Sequence, residues 1–234
     1  MKVIILAGGL GTRIMEETKS KPKPMVTIAG RPILWHIMNS YSNQGYKDFI
    51  IATGYKGEIV TEWANDLDED WNILTLDTGL ETQTGGRVLQ CINSCDDTNF
   101  MVTYGDGLAN VSLQALLDFH RSSKTLATLT AVRPPARFGY LQIEKNLVLH
   151  FGEKNQSDEG WINGGFFIFE REIINYISHI NEPLETGALP RLAQSRELAA
   201  FQHFGFWQPM DTLREKNELE KLAIMDPVPW VLYS

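Results

Sequence analysis

Gly8, Gly9 and Gly11, then Arg13 and Lys23, form the densest grouping of chemically useful residues in the chain. They follow an apolar run, Val3 to Ala7, with the length and composition of a buried strand. Lacking Cβ atoms, the three glycines let the backbone turn tightly and aim N–H groups at an anion. Arg13 adds a planar, permanently charged fork that suits phosphate oxygens. Lys23 stands between Pro22 and Pro24, which stiffen its backbone, whereas a solvated surface lysine keeps its freedom. Arg13 and Lys23 are therefore the expected catalytic partners of a bound polyphosphate.

Other uses of such a loop fit less well. A dinucleotide-binding turn needs G-x-G-x-x-G at the opening of a helix, and here Ile14 or Met15 stands where the third glycine belongs. The run Lys21-Pro22-Lys23-Pro24 also cannot continue a helix. No G-x-x-x-x-G-K-[ST] sequence occurs anywhere in the chain. A plain turn after a first strand is the remaining alternative.

Two aspartates stand at other sheet-edge positions. Asp106 lies in Tyr104-Gly105-Asp106-Gly107, directly after an apolar strand, and Asp211 lies in Gln208-Pro209-Met210-Asp211-Thr212, just before a helix. Ligands of open α/β sheets collect at such carboxyl ends. Magnesium bound to phosphates uses one or two carboxylates and completes its shell with water and phosphate oxygens. Asp211 could instead cap its helix, and Asp106 could be an ordinary turn residue. Thr84-Gly85-Gly86-Arg87, at a helix start, offers backbone groups to the edge of a base, or is a plain helix entry. Asn163 and Gly164, on a strand weakened by Gly164-Gly165, allow a ligand to approach the backbone closely.

The elements that must position these residues alternate along the chain. Strands are expected at Phe49 to Thr53, Trp71 to Asp77, Phe100 to Tyr104, Leu126 to Val132, Trp161 to Glu170 and Leu198 to Phe204. Helices are expected at residues 32–44 (opened by Pro32), Glu58 to Asn65, Arg87 to Asn93, Leu113 to His120, near 171–179 and 186–194, and Thr212 to Ile224. Residues 139–151 read as a β-hairpin turning near Lys145-Asn146. This pattern predicts an α/β fold, a Rossmann-like, doubly wound mixed sheet flanked by helices with a small β-hairpin added. Residues 1–225 are read as one domain, and 226–234 as a tail without an assigned role.

Composition excludes other classes. The net charge of −8 argues against a general nucleic-acid surface, yet residues 1–31 hold six basic groups against two acids. An acidic protein with a basic first loop suits a small polyanion held at one point. No apolar stretch reaches the roughly 18 residues a bilayer crossing needs, so no membrane partner is expected. Cys91 and Cys95 are the only cysteines and read as two packed thiols. With no export signal at the start, they point to the cytoplasm. Trp35, Trp63, Trp71 and Trp161 read as core or interface residues.

These motifs carry a resemblance. L-A-G-G-x-G-T-R followed by K-P-K-P-M and G-R-P-I-L resembles the signature of sugar-phosphate nucleotidyltransferases. TKSKPKPM (18–25), ILWHIM (33–38), GYKG (54–57), TGGR (84–87), TYGDG (103–107), INGGFF (162–167) and GFWQPMDTLR (205–214) resemble, within that family, the glucose-1-phosphate cytidylyltransferases. They span nearly the whole chain in the family's order, although the stretch between Gly57 and Thr84 is shorter than the family's.

The resemblance implies a Mg²⁺-dependent enzyme that joins CTP to a sugar 1-phosphate, first of all glucose 1-phosphate, releasing pyrophosphate. It implies magnesium ligands at Asp106 and Asp211. It implies nucleotide contacts at Leu6, Ala7, Gly8, Gly9, Gly11, Thr12, Arg13, Lys23, Thr84, Gly85, Gly86, Arg87, Thr103 and Asp106. It implies sugar-phosphate contacts at Tyr104, Gly139, Glu153, Lys154, Asn163 and Gly164, with Glu153 bonding sugar hydroxyls and Lys154 the phosphate. It also implies an assembly of identical subunits. Another nucleotide or another phosphorylated acceptor is the alternative within the fold. A non-catalytic subunit would have lost a metal carboxylate or the loop arginine, and Arg13, Lys23, Asp106, Lys154 and Asp211 are all present.

Overall fold

The computed structural model describes residues 1–134, 139–144, 147–153 and 160–232. The long strands are β1 (Lys2–Leu6), β4 (Asp48–Thr53), β5 (Asn72–Asp77), β6 (Asn99–Tyr104), β8 (Ala127–Val132), β11 (Ile162–Glu170) and β12 (Leu198–Gln202). Three pairs of further strands complete the numbering: β2 (Thr27–Ile28) with β3 (Arg31–Pro32), β7 (Gly107–Ala109) with β13 (Trp207–Pro209), and β9 (Gly139–Glu144) with β10 (Leu147–Glu153). The helices are α1 (Met15–Thr18), α2 (Ile33–Ser42), α3 (Gly57–Asn65), α4 (Thr84–Asn93), α5 (Leu113–Ser123), α6 (Ala188–Gln194) and α7 (Leu213–Leu222).

The seven long strands form one sheet in the order β12-β8-β11-β6-β1-β4-β5. The pairings β1–β4, β1–β6, β4–β5 and β8–β12 are parallel, and β11 runs antiparallel between β6 and β8. Alternation along each strand sends side chains to two cores. Val3, Ile5, Phe49, Ile51 and Met101 meet α2, α3, α5 and α7 on one face. Ile4, Leu6, Ile50, Val102 and Phe167 meet α4, α6 and Ile173 on the other. Burial on both faces explains why these strands read as continuous apolar runs.

The expected α/β sheet with flanking helices and added hairpin is what the chain forms. The hairpin strands β9 and β10 pair antiparallel, setting Glu153 opposite Gly139, while its turn at 145–146 lies outside the described residues. Some boundaries differ. The segment expected to be helical near 171–179 is a 3-10 turn, Arg171–Tyr176, because adjacent β-branched Ile173 and Ile174 disfavour a longer helix and Ile177 is already extended. Helix α4 begins at Thr84 and takes in both glycines. Pro32 belongs to β3, one residue before α2. Strands of two or three residues, such as β7 and β13, carry no readable period.

Residues 228–231 join the first core. Trp230 is fully buried, edge-on to His36 and tilted against Phe206, with Val228 and Val231 packed beside it. Burial also lowers the His36 pKa. Trp230→Ala therefore removes a large core side chain and is expected to cost about 3–5 kcal/mol in urea denaturation. A loss below about 1 kcal/mol would mean the segment contributes little to the fold.

Candidate active site

The carboxyl ends of β1, β4 and β6 open onto one another, and the chemistry gathers there. After β1 the chain turns at Gly11, whose φ of 62° is left-handed and favours glycine. A Cβ at Gly11 would stand 2.9 Å from Thr18 and 3.1 Å from Lys23, so the turn is also crowded. A 3-10 turn, Thr12–Ile14, and the single helical turn α1 follow, and the helix stops before the prolines. Pro22 holds an extended conformation and Pro24 occupies the first turn of a second 3-10 segment, Lys23–Met25. This arrangement aims Lys23 back across the end of the sheet.

Lys23 Nζ donates to Asp106 Oδ2 at 2.6 Å and to Asp211 Oδ1 at 2.7 Å. Arg13 Nη1 donates to the other Asp211 oxygen at 2.8 Å. Burial alone would lower the Lys23 pKa, but the two carboxylates outweigh it and the pKa is raised. The aspartates come together through β7 and β13. Asp106 immediately precedes β7, Gly107 pairs with Pro209 at the end of β13, and the Met210 N–H donates to the Asp106 carbonyl at 2.8 Å. Helix α7 is capped by Thr212, in a reciprocal capping box with Glu215, not by Asp211. The Asp211 carboxylate is thereby released toward Arg13 and Lys23.

Two cavities adjoin here. The first, about 420 Å³, is lined by Leu6, Ala7, Gly8, Gly9, Gly11, Thr12, Lys23, Thr84 and Arg87 together with residues 80–83. The second, about 370 Å³, is lined by Thr103, Asn163, Gly164, Trp207 and neighbours from β7 and β13. Arg13, Tyr104, Asp106 and Asp211 line both. Gly85 and Gly86 line neither. Gly85 donates its N–H to the Glu182 carbonyl at 3.0 Å, and a Cβ on Gly86 would overlap the Ile180 carbonyl. Lys154 lies outside the described residues, and Gly139 and Glu153 are placed only as paired strand positions.

Arg87 supports the first loop from behind. It is 4% exposed. Its guanidinium donates to the Gly8 carbonyl at 3.0 Å, to the Thr53 carbonyl at 2.7 Å and to the Thr78 hydroxyl. Burial lowers its pKa, with Asp77 opposing. A Cβ on Gly8 would collide with this guanidinium, so the glycine and the arginine require each other. Sequence reasoning missed Trp207, whose Nε1 donates to the Gly164 carbonyl at 2.8 Å, although it stands in the same short motif as Asp211. It also missed the wall at residues 80–83 and Glu185, for which no motif gave a signal.

A family model described as nucleotidyl transferase matches residues 2–210. The chain belongs to the nucleotidyl transferase family. Among relatives of this nucleotidyl transferase, the glucose-1-phosphate cytidylyltransferase of Salmonella typhi is 46% identical over 253 aligned residues, covering 98% of each chain. That alignment is longer than the 234 residues here, so the relative carries residues this chain lacks. The probable glucose-1-phosphate cytidylyltransferase of Bacillus subtilis is 39% identical, covering 100% of both chains. Two solved structures share the fold. One is a putative glucose-1-phosphate thymidylyltransferase from Bacillus anthracis, with a TM-score of 0.71, 19% identity and 95% of each chain covered. The other is HddC from Yersinia pseudotuberculosis complexed with GMP-PN, with a TM-score of 0.69, 24% identity, and 94% of this chain and 98% of that one covered.

The Gly8–Arg87 fit in this nucleotidyl transferase has a measurable consequence. Gly8→Ala and Arg87→Met should each destabilise the protein by roughly 2–3 kcal/mol, the first by overlap and the second by loss of charged hydrogen bonds. The double variant should cost less than the sum, because removing the guanidinium makes room for the methyl. Additive losses in a denaturation cycle would show that the two groups do not share one space.

Proposed function

We propose that this nucleotidyl transferase joins CTP to a sugar 1-phosphate, glucose 1-phosphate first, giving a CDP-sugar and pyrophosphate. The observation that carries this reading is the meeting of two cavities at Arg13, Tyr104, Asp106 and Asp211. One cavity offers a glycine loop and cations to a triphosphate, and the other offers Asn163 and backbone to a sugar. A phosphate oxygen of the sugar 1-phosphate attacks the α-phosphorus of the nucleotide. The bond from that phosphorus to the bridging oxygen breaks, and pyrophosphate leaves with the electron pair. No enzyme-bound intermediate is needed, so orientation and charge neutralisation do the catalysis.

Arg13 and Lys23 would neutralise the triphosphate as charge moves onto the leaving group. Arg87 would hold the glycine loop in shape. The carboxylates of Asp106 and Asp211 fit magnesium, because both reach one point already held by a cation, Lys23 Nζ. Among the described residues no cluster of three or more His, Cys, Asp or Glu side chains gathers, which leaves phosphate oxygens and water to complete the shell. Bound there, magnesium would supply further neutralisation of the phosphates. The preference for cytosine and glucose rests on the relatives' names. The two free cysteines, buried Cys91 and half-buried Cys95, agree with a cytoplasmic protein, and burial pushes the Cys91 thiol up to about 12.

A pyrophosphate-release screen of CTP, UTP, dTTP and GTP against several sugar 1-phosphates tests the reading, with the highest kcat/KM expected for CTP and glucose 1-phosphate. A higher value for another nucleotide would reassign the base and leave the reaction class standing. Asp106→Asn and Asp211→Asn should each lower kcat at least ~10²-fold with an unchanged circular dichroism spectrum. Turnover within a few-fold of the unaltered enzyme would remove that residue from the metal site. Lys154→Ala should raise the KM for the sugar phosphate far more than for CTP. A defect confined to the nucleotide would assign Lys154 to the nucleotide and not to the sugar phosphate.

A further inference from the structure

Glu185 stands in the turn before α6 and bridges groups from both cavities. Its Oε1 accepts the Tyr104 phenol proton, and its Oε2 accepts from Thr84 Oγ1 at 2.8 Å. Thr84 lines the first cavity, Asn163 the second, and Tyr104 both. The Tyr104 oxygen in turn accepts from Asn163 Nδ2 at 3.1 Å, and Asn163 Oδ1 accepts from the Gly165 N–H at 2.9 Å. Both ends of the Asn163 amide are therefore fixed. Among the described residues its remaining Nδ2 proton meets no protein acceptor, which leaves it for an oxygen in the second cavity.

The TGGR motif explains how Glu185 reaches this place. Gln83, Gly85 and Thr84 bond in succession to residues 180–184: Gln83 N–H to the Ile180 carbonyl at 3.1 Å, Gly85 N–H to the Glu182 carbonyl at 3.0 Å, and Leu184 N–H to Thr84 Oγ1 at 2.8 Å. A Cβ at Gly85 would stand 2.6 Å from the Glu182 carbonyl oxygen, and one at Gly86 would overlap Ile180. Only glycines let the 180–184 segment lie this close, and the next residue is Glu185. The two glycines thus serve docking of this segment, a use their sequence context did not indicate.

We propose that Glu185 is a positioning residue for the sugar phosphate: by accepting the Tyr104 proton it makes the phenol oxygen an acceptor, which orients the Asn163 amide to donate into the second cavity. The inference rests on the reading of that cavity as the sugar 1-phosphate site. Without the carboxylate, the phenol proton has no acceptor on that side. It competes for Asn163 Oδ1, which is already committed to Gly165.

Three variants test this. Glu185→Ala should raise the KM for glucose 1-phosphate roughly tenfold and well beyond any rise in the KM for CTP, with the Tm little changed. Glu185→Gln, which keeps an acceptor at the same reach, should recover most of that loss. Tyr104→Phe should show a similar KM effect, and adding Glu185→Ala to it should add nothing. An unchanged KM in Glu185→Ala, or additive effects with Tyr104→Phe, overturns the proposal. A substrate-free readout separates this from failure of the functional reading. The Asn163 side-chain amide resonances, identified by their loss in Asn163→Ala, should move in Glu185→Ala relative to the unaltered protein. No shift overturns the hydrogen-bond chain whatever the substrate. If the shift appears but the unaltered enzyme does not use glucose 1-phosphate, the functional reading fails, and the KM comparison is made on the acceptor that it does use.

Discussion

The placement of one ammonium group between two carboxylates governs the site. Lys23, Asp106 and Asp211 come from three separate stretches: the loop after β1, the end of β6 and the turn before α7. Two aspartates facing each other without a cation would repel. Unit charges about 4 Å apart interact by about 4 kcal/mol at an effective dielectric constant near 20, so the sign of that contact decides whether the three stretches can converge. The lysine reverses it. Because its side chain is only 12% exposed, water does not take over that duty cheaply. The same geometry that stabilises the protein holds oxygens of both carboxylates within reach of a single cationic atom.

Everything around that contact serves to make it repeatable. The prolines fix the backbone at Lys23. The short β7–β13 pairing ties the segment after Asp106 to the segment before Asp211, so the two carboxylates are held by backbone hydrogen bonds and not by loop conformation alone. The Thr212–Glu215 capping box satisfies the start of α7 locally, which spares Asp211 from that role. Arg87 sits on the opposite side of the glycine loop, bonding carbonyls from the ends of β1 and β4. A cation that touches backbone oxygens and fills the volume denied to Gly8 acts as a brace. Its charge still adds to the basic field of the first cavity.

Much of this was readable before any coordinates. Strands buried on both faces betray themselves by continuous apolar runs, and β1, β4 and β6 did so. The loop Gly8 to Arg13 and the lysine between prolines stood out by residue chemistry alone, and the structure brings them to one cavity. The less readable parts have a common physical cause. β7 and β13 are three residues each, too short for a period, yet they decide where the two aspartates meet. Whether Asp211 caps its helix was open in the sequence, because Asp and Thr are both good caps and stand side by side. Only the geometry of Glu215 distinguishes them.

Gly85 and Gly86 show why motif and role can part. A glycine pair at a helix start suggests exposed N–H groups for a ligand, since glycine is where backbones come close to something. That logic is sound, but it does not say what comes close. Here the partner is another stretch of the same chain, residues 180–184, met a hundred positions later in sequence. The consequence for the site is indirect: the helix N-terminus gives up Gly85's N–H to Glu182 and receives, one residue beyond the docked segment, a carboxylate at the border of two cavities. A sequence motif shared along a family can therefore mark a receptor for the protein's own backbone as readily as a receptor for substrate, and only the partner atoms decide which.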